Sequence, residues 1–169
     1  MTDGQRHRVR LLTDGERNLA ASLFGGAIAY DAVRVKRRKW FPFQPRNTLM
    51  APTGHLHVHP ASDHTSEDYS AERASLQGLF LHELTHVWQS QKRGKYYLPL
   101  MRHPFCRYGY VLRPGLPFER YGLEQQAEIV RHAFLHRAGA ALAGSPPAEA
   151  LERLLPFGDG LSLAHEAAI

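Results

Sequence analysis

The chain has a single cysteine, Cys106, among its 169 residues. An intrachain disulfide framework needs at least two, and a cysteine-rich zinc site needs more, so both are excluded. A reducing compartment is the simplest setting for such a chain. Long apolar runs are also missing. The longest nearly apolar stretch, Leu19–Tyr30, falls far short of the roughly 20 residues that a membrane-spanning helix needs. The opening MTDGQRHRVRLLTDGER has no apolar core of signal-peptide length. The expectation is a cytoplasmic location with no membrane partner, unless a signal-independent secretion machine exports the protein. No internal repeat and no domain linker interrupts the chain. One domain is therefore expected over residues 1–169, with 158–169 as a loose tail.

What is present resembles an ordinary globular composition, 43% hydrophobic and 22% charged. The net charge of +5 attracts anionic partners without naming one. Thr13-Asp14-Gly15-Glu16 is a capping-box pattern that should start a short helix through Leu19, Ala20, Leu23 and Phe24, ended by Gly25-Gly26. Val33–Lys36 reads as a strand. Asn47–Ala51 and His55–Val58 alternate about Pro52-Thr53-Gly54, which predicts a β-hairpin. Residues 60–73 are polar and read as a loop. Helical periodicity then runs from about Ser75 to Lys92, with Gly94 as its stop. Tyr96–Arg113, rich in aromatics, proline and glycine, should be extended with turns. A second long helix is expected over Tyr121–Arg137. A third is expected over Pro146–Leu155, capped by Ser145.

Residues 81–89 read LHELTHVWQ. At about 100° per residue, His82 and His86 lie about 40° apart and one turn above each other, so both imidazoles can reach one ion. Leu76, Phe80, Leu81, Leu84, Val87 and Trp88 form a broad apolar arc on the far side. Glu83 sits at the edge of the histidine face, able to reach a metal's ligand without binding the metal. A metzincin would place a third His at position 92 and a Gly at 89, but these are Lys92 and Gln89. Further along, YGLEQQAEIVRHAF puts Glu124 and Glu128 four apart on one face of the second long helix. Taken singly, each pair reads as a solvated helix face. Two fixed nitrogen ligands with a nearby carboxylate are also what zinc-dependent hydrolysis requires.

HELTH followed by E-x-x-x-E on a second helix resembles the gluzincin class of zincin metallopeptidases. The resemblance is strong over residues 76–91 and moderate over 121–131. It implies an α+β fold, zincin-like, in which a small antiparallel sheet packs beside two long helices that carry the metal site. It implies Zn2+ held by His82, His86 and Glu124, with Glu83 as the catalytic base acting on a metal-bound water. Glu128 would hydrogen-bond a zinc-binding histidine, although the class usually has Asp there. Ala127 also fits the pattern. More loosely, the whole chain resembles small bacterial Vgr-related proteins and a metallopeptidase domain of contractile injection systems.

The activity so implied is peptide-bond hydrolysis, with a peptide or protein as substrate. Candidate oxyanion donors are Tyr108, Tyr110, Tyr121 and His103, and the sequence does not choose among them. His55–His59 is a candidate edge strand along which extended substrate would pair. Its alternating His55, His57 and His59 spread too far to close on one ion, and read as an exposed face or a cleft wall. The basic run Arg34–Lys39 beside Trp40 and Phe41 has the composition of a nucleic-acid contact, yet reads better as a solvated strand end, so no nucleic-acid partner is expected. The alternative to a peptidase is a non-catalytic, zinc-braced interaction module attached to a bacterial secretion or phage-tail-like apparatus.

Overall fold

The computed structural model describes residues 8–101 and 108–157. The capping box forms as expected. Thr13 Oγ1 accepts from the Glu16 N–H at 3.0 Å, and Glu16 Oε2 accepts from the Thr13 N–H at 2.9 Å. It opens α1, Asp14–Phe24, which Gly25 ends at a φ of +52°, where a side chain would be strained. Glu16 is fully buried and does more than cap. Its two oxygens take the Arg10 guanidinium at 2.7 and 2.8 Å, and Oε1 also accepts from the Tyr69 N–H at 3.0 Å. One carboxylate thus ties the first strand to α1 and to the short 3-10 turn Tyr69–Ala71. That turn lies inside the expected 60–73 loop, and its Tyr69 ring stacks on Phe80 in the core, 4.9 Å between centroids.

Four strands form one sheet: β1 (Val9–Leu11), β2 (Arg34–Lys36), β3 (Leu49–Met50) and β4 (Leu56–Val58), in the order β1-β2-β4-β3. The β3–β4 hairpin matches the sequence reading, while β1 is an addition to it. The expectation of an antiparallel sheet is corrected. β2 and β4 run parallel, with Val35 opposite Leu56 and Lys36 opposite His57. The chain leaves β2 through an irregular loop, returns along the outer strand β3 and turns back into β4, so β4 points the same way as β2.

This topology corrects two further expectations. The edge beside β4 is taken by β3, so the His55–His59 segment is an interior strand, with no free backbone edge over Leu56–Val58 for a substrate to pair with. His57 is not on an exposed face either. It is 1% exposed, and the Trp40 ring lies against it at 5.2 Å between centroids. Burial, reinforced by the charges of Lys36 and Arg38, pushes the His57 imidazole down to about 4.

The long helices are α2, Ala74–Arg93, and α4, Leu123–Arg137. Between them lies α3, a short helix over Tyr97–Met101, where extended chain was expected. The last described helix, α5, covers Ala148–Leu154 and is capped at Pro147 rather than Ser145. A residue preceding proline is disfavoured from helical geometry, so Pro146 stays outside the helix and the start moves on. The buried side chains form one connected core in which α2 meets both the sheet and α4. The two long helices approach closely at Gly78, where a Cβ would sit 3.3 Å from Arg131 Cγ and 3.4 Å from Leu135 Cδ2. Among the described residues no helix is long and apolar enough to cross a membrane. The expected loose tail, 158–169, lies outside the described residues.

Candidate metal centre

Helix α2 is buried without interruption from Phe80 to Ser90. Its apolar arc enters the core, and its histidine face is covered by α4, which brings Glu124 and Glu128 over the two imidazoles. Nε2 of His82 lies 3.3 Å from Glu124 Oε2, and Nε2 of His86 lies 3.2 Å from the same oxygen. The three ligand atoms all fall within 4.8 Å of one another, and all three residues are buried. A tetrahedral zinc with bonds of about 2.0–2.1 Å separates neighbouring ligand atoms by about 3.3 Å. The donor set and its spacing therefore suit a small divalent ion, and this group can bind a metal. The strand histidines His55, His57 and His59 do not form such a group among the described residues.

Each imidazole is held from behind. Nδ1 of His86 lies 2.8 Å from Gln89 Oε1, while Gln89 Nε2 donates to Leu123 O at 3.1 Å and to Gln126 Oε1 at 3.0 Å. With its amide nitrogen engaged on two acceptors, Gln89 must present oxygen to His86. His86 then carries its proton on Nδ1 and turns the lone pair of Nε2 toward Glu124. Gln126 is fixed in turn by donating to Tyr121 O at 2.8 Å.

On the other side, Nδ1 of His82 lies 2.8 Å from Glu128 Oε1, close but off the ideal hydrogen-bond direction. Glu128 also meets Arg131 at 3.2 Å and His132 Nε2 at 3.6 Å. Burial works against its charge, but His82 and Arg131 outweigh burial and hold the carboxyl below its ordinary range. Burial likewise opposes a charged His82, yet contact with Glu124 and Glu128 and the charge of Glu83 raise its imidazole to about 9. His132 is pushed down, mainly by burial, and its Nδ1 lies 2.6 Å from the Tyr110 hydroxyl. Burial raises the Tyr110 phenol, so the hydroxyl keeps its proton and donates it to that nitrogen.

Glu83 is buried on the same face. Its Oε1 lies 3.9 Å from His82 Nε2, and its Oε2 has no hydrogen-bond partner among the described residues. A buried carboxylate oxygen without a partner is costly and calls for an explanation.

The expected oxyanion donors separate. Tyr108 is half exposed, with its ring stacked over His82 at 6.4 Å between centroids. The Tyr110 hydroxyl is committed to His132, and the Tyr121 hydroxyl accepts from the Arg113 N–H at 2.9 Å. His103 lies outside the described residues. Sequence reading missed Gln89, Gln126 and His132. The signal was present in the spacing, since Gln89 follows His86 by three residues and His132 follows Glu128 by four, which places each pair on one helix face.

No family model matches the chain. Over 135 residues, 76% of the chain, it is 38% identical to the type VI secretion system spike protein VgrG2b of Pseudomonas aeruginosa. The chain spans 13% of that protein's length. The solved effector domain of Pseudomonas aeruginosa VgrG2b shares 33% identity and a TM-score of 0.69, over 88% of this chain and 83% of that one. The chain belongs to the family of the VgrG2b effector domain.

Proposed function

We propose that this domain is a zinc-dependent peptidase of a type VI secretion effector. His82, His86 and Glu124 hold the ion, and Glu83 is the base. The single observation that carries the catalytic part is Glu83, a buried carboxylate beside the ligand cluster with one oxygen left without a partner. A structural brace has no use for such a group, whereas a hydrolase needs it.

Zinc at this site supplies Lewis acidity toward a peptide carbonyl and a neighbouring water. Glu83 takes a proton from that water as its oxygen bonds to the carbonyl carbon. Glu83 returns the proton to the amide nitrogen as the C–N bond breaks, leaving an amine and a carboxylic acid. Glu128 and Gln89 fix the two imidazoles through their outer nitrogens. Tyr108, beside His82, is the placed tyrosine best situated to meet substrate. The fold supports a zincin-like, gluzincin-type reading through the crossing of α2 and α4, and residues 1–169 act as one such domain.

A second reading keeps zinc but not catalysis. His82, His86 and Glu124 are 4%, 1% and 1% exposed, the burial expected of a closed structural site. The likeness to the VgrG2b spike protein and its effector domain supports a module associated with a secretion apparatus more directly than it supports peptidase activity. Cleavage of a broad peptide library by the zinc-loaded protein and by Glu83→Gln at matched zinc content separates the two. The peptidase reading expects Glu83→Gln to keep zinc and fold while losing about a hundredfold or more of hydrolysis. Equal cleavage by both forms overturns the role of Glu83, and no cleavage by either favours the brace.

A further inference from the structure

The positive charge of the chain is concentrated in one place. Residues 32–62 hold six of the 21 basic side chains and none of the 16 acidic ones, an excess larger than the whole net charge of +5. Among the described residues, only Arg46 of these six comes within ion-pair reach of a carboxylate, Asp63 at 4.0 Å. Burial and the like charges of Arg38, Lys95 and Arg34 push the Lys36 ammonium below its ordinary range. Within this stretch, the loop joining β2 to β3 exposes Trp40, Phe41 and Phe43. Phe43 is 88% exposed, the highest value of any large apolar side chain described.

This loop is built rather than loose. Buried Gln44 accepts from the Trp40 N–H at 2.7 Å and donates to Thr48 O at 3.1 Å, and its own N–H reaches Phe41 O at 3.1 Å. Lys39 Nζ donates to Pro42 O at 3.2 Å. The buried amide staples the loop's backbone. Trp40 keeps one side against His57, while its outer side, Phe41 and Phe43 stay exposed, on a stretch that also carries Arg38, Lys39 and Arg46.

We propose that this loop is a docking surface for a lipid bilayer rich in anionic phospholipid. Aromatic side chains partition into the boundary between headgroups and acyl chains, and flanking cations meet the lipid phosphates. The absence of a membrane span bears on crossing a bilayer, not on lying against one. Two features favour a bilayer over nucleic acid. Phe41 and Phe43 follow closely in a proline-braced turn, which suits insertion as a wedge. β4, the strand that meets the loop through the Trp40–His57 contact, is buried along its length and offers bases no stacking platform there. The inference does not depend on the metal centre.

The test uses the full chain, zinc-loaded, with vesicles of phosphatidylglycerol and of phosphatidylcholine. Cosedimentation is expected with the anionic vesicles, weakening as salt rises. Trp40 fluorescence should shift to the blue on binding, while Trp88, at 7% exposure, stays unchanged. Phe41→Ser with Phe43→Ser, and separately Arg38→Glu with Lys39→Glu, should each weaken vesicle binding tenfold or more. Both double variants must match the parent in circular dichroism and zinc content, which removes misfolding as a cause. Three results overturn the proposal: no binding to anionic vesicles, equal binding to both lipids, or binding that survives both double variants. Two further results reassign the surface and overturn it as well: tight binding to a single-stranded oligonucleotide without vesicle binding, or self-association abolished by the aromatic variants.

Discussion

His86 and Gln89 are joined across 2.8 Å, and this contact decides which ring nitrogen of His86 faces Glu124. Gln89→Leu removes the acceptor for the Nδ1 proton and frees the ring to take the other tautomer. Zinc affinity, measured by competition with a chromophoric chelator, should fall about ten- to a hundredfold. Gln89→Glu keeps an oxygen toward His86 but turns its other oxygen on the acceptors Leu123 O and Gln126 Oε1, so it should recover only part of the affinity. Unchanged affinity in Gln89→Leu would show that the imidazole is held by something else.

Zinc binding should release protons. In the metal-free protein the His82 imidazole sits at about 9, so at pH 7 it is charged and must give up its proton before it can bind an ion. Calorimetry of zinc binding at pH 7, in buffers of different ionisation enthalpy, should report close to one proton lost at this residue. The release should vanish in His82→Ala, which also loses most zinc. The sign for metal-free stability follows from the same shift. Its contribution is fully present below 6.5, the ordinary value, and is lost as pH rises through about 9.

His57 carries the opposite sign. Its imidazole is held down at about 4 against an ordinary 6.5, so its contribution is complete above 6.5 and is lost as pH falls toward 4. The full shift corresponds to about 3–3.5 kcal/mol as an upper bound. Urea unfolding at a series of pH values should show this slope in the parent, and His57→Leu should flatten it. A slope that survives the substitution would assign it to other groups.

At Gly78 the side chains of α4 lie close against α2, with Arg131 Cγ and Leu135 Cδ2 at 3.3 and 3.4 Å from where a Cβ would stand. Gly78→Leu has no room unless the Arg131 and Leu135 side chains or the helices themselves shift, and overpacking of this kind costs about 1–3 kcal/mol. Because α4 carries Glu124, the same variant should weaken zinc binding as well as stability. Loss of stability with zinc affinity intact would mean that the metal centre does not depend on this crossing.

The two long helices were legible because each carries a sustained period and a clear stop, and the candidate site was legible because His82 and His86, like Glu124 and Glu128, sit four residues apart within those helices. What was hidden depended on contacts distant in sequence. Gln89 looked like a mismatch to a metzincin pattern, yet it grips His86 and reaches Leu123 and Gln126 across the helix boundary. The parallel pairing of β2 with β4 has no local signal, since it follows from where the β2–β3 connection carries the chain. β1 is only three residues long, too short for an alternation to show. His57 read as surface because nothing nearby announces that Trp40 covers it.

His82 and His86 are neighbours on one helix, but Glu124 comes 38 residues after His86. Closing a flexible loop of that length costs roughly 3 kcal/mol in chain entropy, and until α4 docks the cost is unmet. An ion meeting the chain early therefore has two imidazoles to hold it, a grip that exchanges readily. In the proposed site the third ligand would arrive only with tertiary structure, so assembly would run from helix to crossing to firm capture. Whatever peels α4 from α2 would then loosen a bound ion before unfolding either helix. Retention of a metal would thus report on a single contact between two helices rather than on the integrity of the whole chain.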